Sequence, residues 1–133
     1  MNWKKDFLNY FVVTQNLAPD TAKGYFYDAR EYASFIFGEI PDDISNIEFS
    51  PLLIRDFAAS FRMKGSQEST IERKIYGVLA FWLYCFEAGY VGKPLAFRDL
   101  GILVKRSLNP TDPLNRLEYK NFMEKIHVEL QHL

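Results

Sequence analysis

Two groups of side chains have the types and spacing to bind an anion. Lys23, Tyr27, Arg30 and Ser34 recur at helical spacing and share one polar face. Ser69, Thr70, Arg73, Lys74 and Gly77 are small or basic and open a second helical stretch, just after Lys64 and Ser66. A helix start favours phosphate because its free N–H groups point outward and its dipole is positive there. Small hydroxyls let such a helix approach a backbone closely, and arginine and lysine then reach phosphates or guanine edges. The competing reading is a solvated helix start whose charges pair locally, for example Glu68 or Glu72 with Arg73.

Catalytic arrangements are scarce. His127 and His132 are five residues apart, which puts them on different faces of a helix and not at the i, i+4 spacing of a zinc pair. Cys85 lies within an apolar stretch, and a nucleophile needs a base beside it. Lys64-Gly65-Ser66 is too short for a phosphate loop. Asp42 and Asp43 are loop acids with no evident partner. The sequence therefore predicts a non-enzymatic chain with no metal and no cofactor.

The elements that must position the basic groups read at helical period. Trp3 to Leu17 places Trp3, Phe7, Tyr10, Phe11 and Leu17 near one stripe. Pro19 breaks it, and Asp20 or Thr21 is expected to cap a second helix ending at Gly38. Ala22, Tyr25, Phe26, Ala29, Tyr32, Ala33 and Ile36 form its apolar face. A loop over 38–50 is expected to be pinned by Ile44, Ile47 and Phe49. Ser50 caps a third helix with Pro51 at its first position, and Lys64-Gly65-Ser66 ends it. A fourth helix spans about 67–88, with Ile71, Ile75, Val78, Leu79, Trp82, Leu83 and Phe86 on a broad apolar face, and Gly89 closes it. Residues 90–113 are rich in breakers and read as an extended linker with one helical turn. Asn115 to Glu118 resembles a capping box before a last helix carrying Leu117, Phe122, Met123, Ile126 and Leu130.

Composition sets the outer bounds. The chain has 133 residues, the length of one domain with at most a short appendage. It is 48% hydrophobic and 25% charged, a globular mix that excludes wholesale disorder. The densest apolar run, Val78 to Phe86, is too short for a membrane span, and Met1 to Asp6 lacks the apolar stretch of a signal peptide. Cys85 is the only cysteine, so no internal disulfide can form, and a reducing, cytoplasmic compartment is expected. Twelve Phe, eight Tyr and two Trp can fill a large core. Net charge is −1, low for a nucleic-acid binder, but residues 62–106 carry eight basic against four acidic side chains, so an anionic partner would prefer that part.

The order and spacing of these elements resemble the N-terminal core-binding domain of tyrosine recombinases, the phage-integrase and Xer-type family. Phe7-Leu8-Asn9-Tyr10-Phe11 followed by Leu17 matches the family's first helix. Thr21, Tyr25, Asp28, Ala29 and Tyr32, preceded by Pro19, fit its pattern T-x-x-x-Y-x-x-D-L-x-x-F, with Ala29 and Tyr32 in place of the usual Leu and Phe. Gly65-Ser66 and then Ser69-Thr70-Ile71, Arg73, Ile75, Gly77, Leu79 and Phe81-Trp82 resemble its fourth helix. Gly89-Tyr90-Val91 and Lys93-Pro94 stand where the family has glycine, a hydrophobic residue and Asn-Pro. Pro110, Pro113-Leu114-Asn115 and Glu118 resemble its L-P-x-x-L-T-x-x-E approach to the catalytic domain, with Asn115 replacing threonine. The likeness covers nearly the whole chain and rests on order and spacing, since no single motif is highly specific.

The resemblance implies an all-α fold, an orthogonal bundle of four main helices (SAM-like), over residues 1–106. Residues 107–133 would be the linker and first helix of a catalytic domain. The bundle would form half of a C-shaped clamp around double-stranded DNA at a recombination core site, beside other recombinase protomers, with the helices at 20–37 and 67–88 across the major groove. Carried over by position, the DNA-binding candidates are Lys23, Tyr27, Arg30, Lys64, Ser66, Ser69, Thr70, Arg73, Lys74 and Gly77, with Lys105 and Arg106 on the interdomain linker. Replacing Arg73 and Lys74 by alanine is then expected to remove DNA binding without lowering thermal stability. The family's two arginines, lysine, histidine and nucleophilic tyrosine lie on the C-terminal domain, none can be assigned here, and Tyr119 is not that nucleophile. The chain is expected to be either a fragment of a longer recombinase, which the apolar Phe122, Met123, Ile126 and Leu130 favour, or a short protein that binds the site without cutting. The alternative is a helical protein–protein interaction module that docks through its C-terminal helix and binds no DNA.

Overall fold

The structure, a computed structural model, describes residues 3–103. The expected C-terminal helix, the boundary at 106/107, Lys105 and Arg106 lie outside the described residues. Within them the fold is an all-α bundle of four α-helices with no strand: α1 (Lys4–Asn9), α2 (Pro19–Phe37), α3 (Pro51–Met63) and α4 (Glu68–Glu87). A short 3₁₀ helix, Phe97–Leu100, supplies the single turn expected in the segment after α4.

The helix boundaries follow local chemistry. Ser50 Oγ accepts the backbone N–H of Leu53 at 3.1 Å, and Pro51 begins α3. Gly38 ends α2 in the left-handed conformation at φ +82°, with its N–H donated to the Ser34 carbonyl. The start of α2 corrects the sequence reading. Its cap is Ala18 with no side-chain hydrogen bond, and Pro19 is the first helical residue. Proline fits because its missing N–H would have no partner at that position in any case. Asp20 falls in the first turn, where the helix dipole favours a carboxylate.

The first helix is not uniform. After Asn9 the chain widens into a π-helical stretch over Tyr10–Thr14, with Gln15 N–H bonded five residues back to Tyr10. Val12, Val13 and Thr14 are β-branched and weak α-formers. Asn16 then takes a positive φ of 56°, and Leu17 N–H reaches back six residues to the Phe11 carbonyl. That bond closes the helix in the manner of a Schellman motif.

α4 is the hub. Every residue from Ile75 to Cys85 is buried, so most of the helix is covered on all sides. Phe81 packs against Trp3 at 5.4 Å between ring centroids, and also against Phe7, Tyr32 and Phe49. Trp82 stacks on Phe49 at 5.3 Å. Polar tips of buried rings tie the surrounding segments to this core: Trp3 donates to the Pro41 carbonyl, Tyr32 to Glu48, Trp82 to Gly92, and Tyr84 to Asp6 of α1. Ile44 and Ile47 are buried and pin the 38–50 loop as expected. Among the described residues no helix is long and apolar enough to cross a membrane.

Candidate nucleic-acid interface

α2 and α4 pack closely at the third turn of α4, and Gly77 permits it. A Cβ built there overlaps the Cβ, Cγ and Oδ2 of Asp28 on α2. Asp28 is only 2% exposed. Arg73 Nη1 donates to its two oxygens at 3.2 and 2.9 Å, and Lys74 Nζ stands 4.0 Å from Oδ1. Lys74 Nζ makes its shorter contact to Glu31 Oε1, at 2.6 Å. Four charges thus bridge the two helices in register.

Burial dominates the electrostatics at Asp28. It pushes the carboxyl up to about 6, against the opposing pull of Arg73 and Lys74. The two cations therefore favour the charged carboxylate that burial disfavours. The local pairing anticipated within the start of α4 is replaced by pairing across helices: Arg73 takes Asp28, and Glu68 takes Arg62 of α3. That second pair is bidentate, with Arg62 Nε and Nη2 at 2.9 and 2.8 Å from the two Glu68 oxygens. It braces the turn between α3 and α4, and Arg62 Nη2 also donates to the Leu103 carbonyl at 3.2 Å.

Other candidates join the same neighbourhood through aromatic rings. The Arg30 guanidinium lies 5.2 Å from the centre of the Tyr27 ring, and Tyr27 is 49% exposed. Lys64 and Lys74 both lie over Phe61, at 5.2 and 4.6 Å. Lys64, Arg73, Lys74 and Gly77 are therefore linked by direct contacts through Asp28, Glu31 and Phe61, while Tyr27 and Arg30 form a separate pair on α2. Lys23 is exposed one turn before Tyr27 on α2. Ser69 and Thr70 precede Arg73 and Lys74 by one turn on α4, Ser69 exposed and Thr70 half-buried. Ser66 donates its backbone N–H to the Phe61 carbonyl, which fixes the turn leading into α4.

The cations differ in commitment. Arg62, Arg73 and Lys74 each hold a carboxylate. Among the described residues, Lys23, Arg30 and Lys64 have no carboxylate within ion-pair distance. The carboxylate beside a paired cation cancels much of its charge, so it adds less to phosphate binding than an unpaired one. The expectation that Arg73 and Lys74 are dispensable for stability is accordingly revised, because both hold α4 to α2.

Sequence reasoning did not single out Asp28 and Glu31 as partners of these cations. One signal was present: Asp28 sits beside Ala29 inside the apolar stripe of α2, where a charge has to find a partner. Cys85 is fully buried, and burial pushes its thiol up, away from thiolate chemistry at neutral pH. Among the described residues no cluster of three His, Cys, Asp or Glu could hold a metal ion.

No protein-family model, no curated protein and no solved structure matches this chain.

Proposed function

We propose that this chain is the DNA-binding module of a site-specific tyrosine recombinase, gripping double-stranded DNA at the core recombination site as half of a clamp. Cleavage chemistry would reside on a C-terminal domain, and the other protomers of a synaptic complex would be its protein partners. The observation that carries the reading is the contact network joining Lys64, Arg73 and Lys74 in an all-α bundle, with Arg30, itself paired with Tyr27, lining one groove with Lys64. On this reading the exposed Lys23, Tyr27 and Lys64 and the half-buried Arg30 meet phosphates. Ser66, Ser69 and Thr70 keep the start of α4 slim enough to approach the duplex. Arg73, Lys74 and Gly77 hold α2 and α4 at the separation the duplex requires.

Fluorescence anisotropy with a labelled duplex from the sequence flanking the gene, titrated at two salt concentrations, tests this. The expected result is saturable binding that weakens with salt at about 0.9 log units per phosphate contact. No binding at low salt, by a chain that is folded by circular dichroism, would contradict it.

A further inference from the structure

Arg30 on α2 and Lys64 at the end of α3 line one open groove of about 540 Å³. Its walls are Ser34 and Phe35 of α2 and Phe57, Ser60 and Phe61 of α3, with Ile40 from the following loop. The only acid in the lining is Glu31, and Lys74 neutralises it at 2.6 Å. We infer that this α2–α3 groove seats one sugar–phosphate strand of the bound DNA, with its phosphates held between Arg30 and Lys64. The inference rests on the DNA-binding reading and deepens it, saying where Arg30 and Lys64 would hold their phosphates, beside the α2–α4 face.

Three observations support the assignment. The Arg30 guanidinium lies 5.2 Å from the centre of the Tyr27 ring and has no carboxylate partner among the described residues, so its N–H groups are available to phosphate. Lys64 is held over Phe61 in the same way. The floor is apolar where Phe35 and Ile40 remain 40% and 45% exposed. Deoxyribose is the apolar part of a DNA strand, so an apolar floor between two cations matches a sugar flanked by phosphates. The Ser60 hydroxyl already donates to the Phe57 carbonyl at 2.6 Å, so the cations must do the anchoring.

The test compares three proteins by duplex anisotropy across salt. Arg30→Ala with Lys64→Ala removes both anchors, and the slope of log affinity against log salt is expected to fall by ~1.8, two contacts' worth. Ile40→Trp fills the groove and leaves every charge in place. It is expected to weaken binding about tenfold with an unchanged slope. Normal binding by folded Ile40→Trp would overturn the groove as the seat and leave the DNA reading standing. Failure of the unaltered chain to bind any duplex would overturn both. Saturable binding of an oligoglutamate peptide in preference to the duplex would overturn the inference in favour of an acidic protein partner.

Discussion

The α2–α4 seam and the α2–α3 groove use the same residue types for opposite ends. In the seam, Arg73 and Lys74 face Asp28 and Glu31, and the four charges close on one another. In the groove, Arg30 and Lys64 face aromatic rings that orient them without neutralising them. An ion pair across packed helices fixes a distance. A cation on an aromatic ring remains available to an outside anion. Basic residues in a helical module are therefore sorted by their partners and not by their positions in a motif.

The seam is where substitution has the largest expected effect. Arg73→Ala with Lys74→Ala leaves Asp28 buried without its cations, and stability should fall by on the order of 3 kcal/mol near pH 7.5. Part of that loss should return at pH 5, where the carboxyl takes up a proton. Thermal denaturation at the two pH values checks both statements. Gly77→Ala is expected next, at about 1–3 kcal/mol, because its methyl overlaps Asp28 and α2 must move. Equal stability of this variant would show that the two helices are not in close register.

Asp28 also gives the unaltered chain a pH dependence of known sign. Its folded value of about 6 lies above the ordinary 3.8, so the folded state holds this proton over a window where the unfolded state has lost it. This group's contribution to stability should rise as pH falls from about 6 towards 4, by about 2 kcal/mol at most. Asp28→Asn should abolish that rise, and a variant that keeps it would place the titration elsewhere. The smallest stability effect belongs to the groove. Arg30→Ala and Lys64→Ala should each stay within about 0.5 kcal/mol of the parent, because neither makes an ion pair within the described residues. A large loss of melting temperature in either would assign it to the seam's class.

Much of the fold was legible in the sequence because it is written locally. Ser50-Pro51, Gly38 and Gly65 mark helix ends through caps and backbone freedom that depend on a few neighbouring residues. The π-helical stretch was not legible, since Phe7, Tyr10 and Phe11 keep to one stripe whether the next turn closes at four residues or five. Of the candidate site, the spacing of Lys23, Tyr27 and Arg30 along α2 and of Ser69, Thr70, Arg73 and Lys74 along α4 could be read directly. Which cations are free could not. Arg73 and Asp28 are 45 residues apart in the chain, and their meeting depends on how α2 crosses α4. The groove was hidden for the same reason, because Arg30 and Lys64 share it only once α2 and α3 are packed.

The most direct test of the account is the salt dependence of duplex binding by two folded variants measured side by side. One lacks the free cations Lys23, Arg30 and Lys64, and the other lacks the paired cations Arg73 and Lys74. The first is expected to lose most of the salt slope, ~2.7 for three contacts, and the second to keep its slope despite a lower melting temperature. The reverse order, with the slope lost in the Arg73 and Lys74 variant alone, would contradict it.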